Sequence, residues 1–347
     1  MTLVLARESV VRWIGGIATV VAAALMFGAA APSMIGGRAV ADERPAAEVR
    51  YPERPIRFIV PFSAATPVDV LARIAAQKLG DAWHSTVIVE NHDGAAGTIG
   101  VGQVVKSQPD GYTLLFTPDL PIVVGPAVST TSYDPRTDLV PIGAVGEGVS
   151  VLVVNPSTGI TSVAGLVAAA RAKPGALTYA SSGEGSSSRM CLELIKHATG
   201  VDIVHVPYKS AAPAIQAVLK GEVSMYCGPL FQALPGMRAH QLTAIGVTST
   251  HTVAGVPDVP TIASQGFPDV IALNWWGMLA PAGTPVPIQE KIRNALMKAF
   301  DDPDVRSKLS AAGIDPIWKS GPEFEAMIRA DLDKWTRLAR AIGIRPQ

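Results

Sequence analysis

The sequence predicts an α/β protein built on parallel sheets, and three observations carry that expectation. Short β-branched runs alternate with helix-like segments along most of the chain, the order that gives parallel strands covered by helices. Prolines open the last three helical segments, where their fixed φ suits the first turn. The chain has 347 residues, 48% of them hydrophobic. That is more than one core usually holds, so two lobes are expected.

The elements follow in order. Residues from Ile56 to Val60 form a strand ended by Pro61, and a helix runs from Val68 to Leu79. A strand from Thr86 to Glu90, a helix from Thr98 to Ser107 and a strand from Tyr112 to Thr117 come next. The apolar run from Val149 to Val154 closes at Asn155-Pro156. Beyond it lie a helix from Val163 to Ala172, a strand from Leu177 to Ala180 and a helix from Ser187 to Ala198. A strand from Asp202 to Pro207, a helix from Pro213 to Leu219 and strands Val223 to Cys227 and Leu242 to Thr248 continue the alternation. Three helices, from Pro287, Pro303 and Pro322, complete the chain.

Composition narrows the function classes. Lys+Arg and Asp+Glu both number 29, and zero net charge without a basic cluster argues against a nucleic-acid partner. Arg7 and Arg12 precede an apolar run from Trp13 to about Ala31, and Ala39-Val40-Ala41 follows. Positive flank, apolar core and A-x-A site read as a secretory signal peptide over residues 1–41 with a leader over 42–50; a retained membrane anchor is the rival. Export predicts a periplasmic protein. It also permits a disulfide between Cys191 and Cys227, although two buried free thiols are the favoured expectation. The six histidines are scattered without metal spacing, so neither metal nor cofactor is expected.

Two loops stand out. After Pro61, Ser63-Ala64-Ala65 lead into Thr66-Pro67-Val68-Asp69. Thr66 can cap the helix with Pro67 at the first helical position and Asp69 reaching back, a capping box that leaves amides at the carboxyl edge of a sheet. The alternative is a capped helix and nothing more. The second loop runs from Tyr179 to Ser188 with five serines and two glycines, Gly183 and Gly185. Its amides and hydroxyls can close on an anion; a surface loop or a dinucleotide fingerprint are the alternatives, the latter weakened by Ser188 at the third glycine position. Arg189 sits in the first helical turn, either in solvent or paired with an anion. Tyr208-Lys209 lines a cleft or forms a solvated turn. Trp275-Trp276 is read as core in preference to a stacking surface.

Longer motifs then come into view: Tyr51-Pro-Glu-Arg-Pro-Ile-Arg, Asp69-Val-Leu-Ala-Arg73, Gly94-Ala-Ala-Gly97, Pro109-Asp-Gly-Tyr-Thr-Leu-Leu115, His205-Val-Pro-Tyr-Lys209 and Leu279-Ala-Pro-Ala-Gly-Thr-Pro285. In that succession the chain resembles the Bordetella uptake gene (Bug) family, the solute-binding proteins of tripartite tricarboxylate transporters. The resemblance implies a type II periplasmic-binding-protein fold, with residues 51–148 plus 271–347 as one lobe, 149–270 as the other, a hinge and a cleft between them. It implies a monomeric receptor for a small organic acid, serving membrane permease subunits and performing no catalysis. The ligand-binding set is then Ser63, Ala64, Ala65, Thr66, Asp69, Thr117, Ser181, Ser182, Gly183, Gly185, Ser186, Ser187, Arg189 and Tyr208. Two departures matter. The first loop lacks the family's glycines, so left-handed backbone there is costly. Gly228-Pro229 stands where relatives often carry an acid, which argues against an amino-acid ligand. A ligand-presenting sensor and an exported serine hydrolase are the other functions weighed.

Overall fold

The same strand order occurs twice. The computed structural model describes residues 50–344 apart from 254, so the expected signal peptide and nearly all of the leader lie outside the described residues. The first half alternates β1 (Ile56–Val60), α1 (Pro67–Trp83), β2 (Val87–Asn91), α2 (Thr98–Val105) and β3 (Thr113–Pro118). A short α3 (Gly125–Val128) leads to the long β4 (Leu139–Val154). The second half runs α4 (Val163–Ala172), β5 (Thr178–Ser181), α5 (Ser187–Thr199), β6 (Val204–Pro207), α6 (Ala211–Leu219), β7 (Met225–Pro229), α7 (Leu230–Arg238) and β8 (Thr243–Val247). Then β9 (Leu273–Pro281), α8 (Val286–Asp301), α9 (Pro303–Ala311), β10 (Asp315–Ser320) and α10 (Gly321–Ala341) follow.

In the first half the hydrogen-bonded order is β2-β1-β3-β9-β4. In the second it is β6-β5-β7-β4-β8. Strand β1 is parallel to β2 and β3, and β5 is parallel to β6 and β7. The fourth strand of each order is antiparallel to its neighbours, β9 in the first and the distal part of β4 in the second. Each parallel core thus receives one reversed strand from the chain as it passes between halves, and the sheet is mixed. Both halves belong to one compact unit. Three buried clusters fill the faces, with Ile59, Leu115 and Trp275 in one, Phe58, Leu71 and Phe116 in the second, and Val151, Val218 and Tyr226 in the third.

Strand β4 reaches further than the run from Val149 to Val154. Its proximal part carries Pro141 and glycines at 143, 146 and 148, which hide the β-branched signal, and its register against β9 shifts twice. The glycine at 148 has a packing reason: a Cβ there would lie 3.0 Å from the Trp276 ring. Strands β9 and β10 and the helices α3 and α7 also escape sequence reading. Helix α7 contains Pro235, a residue that normally argues for a break. Among the described residues no helix is long and apolar enough to cross a membrane.

The cysteines are not free. Helix α5 packs on β7, so the Cα atoms of Cys191 and Cys227 come within 5.9 Å and a disulfide joins them, inside the range that such bridges span. Both residues are buried. The bridge ties the helix that carries the serine loop to the strand beside it. Replacing both cysteines with alanine should lower unfolding free energy by about 3–4 kcal/mol, the loop-closure value for a cross-link of this sequence separation; urea titration of the oxidised parent and the double variant measures it.

Candidate functional site

A cavity of about 210 Å³ opens where the carboxyl ends of β1, β3, β5 and β7 meet. Open α/β sheets bind ligands at such strand ends. Phe62 and Thr66 enter from the loop after β1, Pro118 and Asp119 from the end of β3, and Ser182, Ser186, Ser187 and Ser188 from the loop after β5 and the start of α5. Pro229, Phe231 and Gln232 come from the end of β7 and the start of α7, and β9 supplies Asn274 and Trp276.

The serine loop forms a pre-ordered donor array. Ser186 caps α5 by accepting from the Arg189 amide at 3.2 Å, while its hydroxyl donates to the Gly183 carbonyl at 2.7 Å. The Ser188 hydroxyl accepts from the Ser182 amide at 2.9 Å and lies 3.0 Å from the Ser182 and Ser186 hydroxyls. Ser187 lines the cavity, and among the described residues its hydroxyl has no side-chain hydrogen-bond partner. The first turn of α5 carries no acid, so the positive end of a 13-residue helix dipole is uncompensated on this side.

The start of α1 is built differently. Thr66 does not cap the helix; its hydroxyl donates to the Ser63 carbonyl at 2.8 Å. Asp69 instead accepts from the Ala65 amide at 2.9 Å, from Arg73 at 3.0 Å and from the Asn91 amide group at 2.9 Å. Burial opposes the charge, yet bonds from Arg73, Asn91 and Ala65 hold the Asp69 carboxyl below the usual carboxylate range. This buried acid compensates the dipole of α1. Ala65 pays for the missing glycine with a φ of 64°, a left-handed conformation that costs a residue with a Cβ roughly 1–2 kcal/mol.

The wall between these helix ends holds residues that the sequence reading missed. Asp119 is buried, and Asn274 donates to it at 3.4 Å. Burial chiefly, with Asp331 adding repulsion against the help of Asn274 and Lys334, raises its pKa to about 7. Tyr226 donates to Gln232 at 2.6 Å, and burial raises its pKa so that it stays a neutral donor. A Cβ at Gly228 would fall within 2.6 Å of the Tyr226 ring carbons; the tyrosine occupies the space that the expected acid would need. Trp275 is core, edge-on to Phe324, whereas Trp276 lines the cavity. The separate roles follow from strand alternation. Asp119 had no local signal, since it follows an apolar strand and precedes Leu120-Pro121.

Of the expected ligand-binding residues, Thr66, Ser182, Ser186 and Ser187 line the cavity. The others stand outside its lining for physical reasons. Ser63, Ala64 and Ala65 are exposed, with Ser63 bonded to Asp93. Asp69 is engaged as described, and Thr117 is fully buried with its hydroxyl on the Pro118 carbonyl. Gly183 and Gly185 shape the loop backbone; Gly183 has a φ of 120°. Arg189 turns back to the Glu184 carboxylate and carbonyl. Tyr208 packs against the third cluster. Ser181 lies 2.6 Å from His205 Nε2, whose Nδ1 is 3.7 Å from Glu184. That trio has the residue types of a hydrolytic triad, but Ser181 is fully buried and outside the cavity lining, and burial lowers the His205 pKa.

The comparisons with known proteins bear on this geometry. The tripartite tricarboxylate transporter family receptor matches residues 71–344. The chain belongs to this family. Protein BugT of Bordetella pertussis is 33% identical over 295 residues, covering 84% of this chain and 90% of BugT. A protein of R. palustris solved with adipate is 29% identical, with a TM-score of 0.74 over 86% of this chain and 100% of that one. MatC of Rhodopseudomonas palustris with bound malate is 26% identical, with a TM-score of 0.71 over 83% and 99%. Membership makes the chain a receptor with a two-lobed α/β fold, not an enzyme.

In this family member the raised pKa of Asp119 has a stability consequence. The fold favours the protonated acid, so this contribution is present below the unfolded value near 4 and lost as pH rises through about 7. A shift of that size corresponds to on the order of 4 kcal/mol. Asp119→Asn should therefore be more stable than the parent at pH 8 by up to that amount, with the difference vanishing near pH 4. Urea unfolding at both pH values gives the comparison, and equal stabilities at pH 8 would contradict the assignment.

Proposed function

We propose that this chain is a periplasmic receptor that captures a small organic acid in the cavity and presents it to the permease subunits of a tripartite tricarboxylate-type transporter. The uncompensated start of α5, with Ser182, Ser186, Ser187 and Ser188 around one opening, carries this reading. Amides at a helix N-terminus hold an anion without a buried counter-ion, and hydroxyls adapt as donors to either carboxylate oxygen. Thr66 and Trp276 close the same space from the other half. The adipate and malate in the two structural relatives support an acid as ligand. The cavity volume of about 210 Å³ is below the roughly 300–1,000 Å³ of drug-sized sites, which suits a small one.

In this reading residues 1–41 direct export and are removed after Ala41. The mature receptor acts as a monomer, with lobes at 51–148 plus 271–347 and 149–270 that close on the acid about the crossing strands. Release, not a lowered chemical barrier, is what uptake requires of it.

A thermal-shift panel of small carboxylates tests the reading. A cognate acid should stabilise the fold by roughly 2–4 kcal/mol when saturating, and a folded protein that responds to none contradicts it. Ser187→Trp should weaken binding of that acid more than tenfold, or about 1.4 kcal/mol, with the parent circular-dichroism spectrum retained. Unchanged affinity in calorimetry would remove the serine loop from the site.

A further inference from the structure

We infer that the cavity selects an acid with a single carboxylate on an apolar body and rejects dicarboxylates, with Asp119 as the discriminating residue and Phe231 setting the length of the body. This deepens the receptor reading and rests on it. Among the described lining residues, one place in the cavity is arranged for an anion. The start of α5 has free donors and no acid, whereas the start of α1 is already neutralised by buried Asp69 and lacks the amide that Pro67 cannot supply. None of the described lining residues is lysine, arginine or histidine. A second carboxylate would find no cation, and it would meet the Asp119 carboxylate in the wall. Specificity of this kind comes from the group that repels the wrong ligand.

The remaining surface favours hydrocarbon. Phe62, Val68, Leu120, Phe231 and Trp276 line the same space as the serines, and apolar area removed from water drives binding there. Pro67 and Phe231 also line a second cavity of about 400 Å³, whose other walls include Val70, Leu71, Ile74 and Leu309, with Lys308 as its one charged residue. Phe231 is thus shared by the acid site and a mostly apolar annex.

Two matched pairs, hexanoate with adipate and benzoate with terephthalate, separate the possibilities by calorimetry at pH 8, where Asp119 is ionised. Within the pair that fits, the monocarboxylate should bind at least tenfold tighter. Asp119→Asn should narrow the ratio at least threefold by improving the dicarboxylate, and Phe231→Ala should improve decanoate relative to hexanoate. A dicarboxylate that binds the parent as tightly as its partner overturns the inference and leaves the receptor reading standing. An unchanged ratio in Asp119→Asn overturns the role of that residue, and an unchanged decanoate-to-hexanoate ratio in Phe231→Ala overturns that of Phe231. If none of the four acids binds the folded parent while a multiply charged acid from the wider panel does, the inference again fails alone. If no acid of either set binds, both readings fall.

Discussion

The positive end of α5 must face the cavity without an acid of its own, and much of the surrounding structure serves to keep it so. A helix terminus exposes amides that need partners, and an internal carboxylate is the usual remedy, as Asp69 shows in α1. Helix α5 uses the neutral Ser186 cap instead and turns Arg189 back onto Glu184. Its body is fixed by the bridge to β7 and by Tyr179, whose hydroxyl donates to Glu193 at 2.5 Å. A donor array held this firmly loses little freedom when an anion arrives, which is how preorganisation converts into affinity.

The duplicated strand order explains why the cavity is where it is. In each half the first and third strands end at the same edge, and the reversed fourth strand runs past them. The loops after β1 and β3 therefore meet those after β5 and β7 across β9, which contributes Asn274 and Trp276. Two halves with similar frames present chemically different rims: one is already neutralised by Asp69, the other open. The difference lies in a few loop residues on a common scaffold, consistent with function residing in grafted sites more than in the fold.

Much of this was legible in the sequence, for reasons that differ by residue. Helix α4 and the start of α5 begin where the alternation of elements put them, at Val163 and Ser187, and the structure adds Ser162 and Ser186 as their caps. The serine loop was visible as composition, and Thr66, Ser182, Ser186 and Ser187 do share one cavity. What escaped was tertiary. Asp119 is buried beside a strand distant in sequence, its amide donating to the Trp275 carbonyl and its carboxylate accepting from Asn274. The two tryptophans split between core and cavity by strand alternation, in a strand that sequence reading did not assign. The cysteines meet because α5 lies on β7, a contact that spacing alone does not reveal. The alanines of the first loop imply backbone strain in the sequence, and Ala65 bears it, with Ala64 and Ala65 exposed and outside the cavity lining.

A line of buried polar groups gives the cavity a connection to the crossing strands. Asp119 accepts from Asn274, the Ser150 hydroxyl donates to the Asn274 side-chain oxygen at 3.2 Å, and the Ser150 amide donates to the Thr248 hydroxyl at 3.0 Å. Thr248 in turn lies 2.6 Å from the Ala272 carbonyl. These residues sit where β4, β9 and the segment after β8 pass between the halves. Removing any one member leaves a buried partner unsatisfied, which costs more than the bond itself contributes. A ligand shifts an equilibrium only through contacts that differ between its states. In the proposed reading, an acid held by serines of one half and an apolar wall of the other would make its full set of contacts only when both rims reach it. The cavity wall includes Asp119 and Asn274, two members of this line, so in the proposed reading a bound acid would touch the groups that brace the crossing strands.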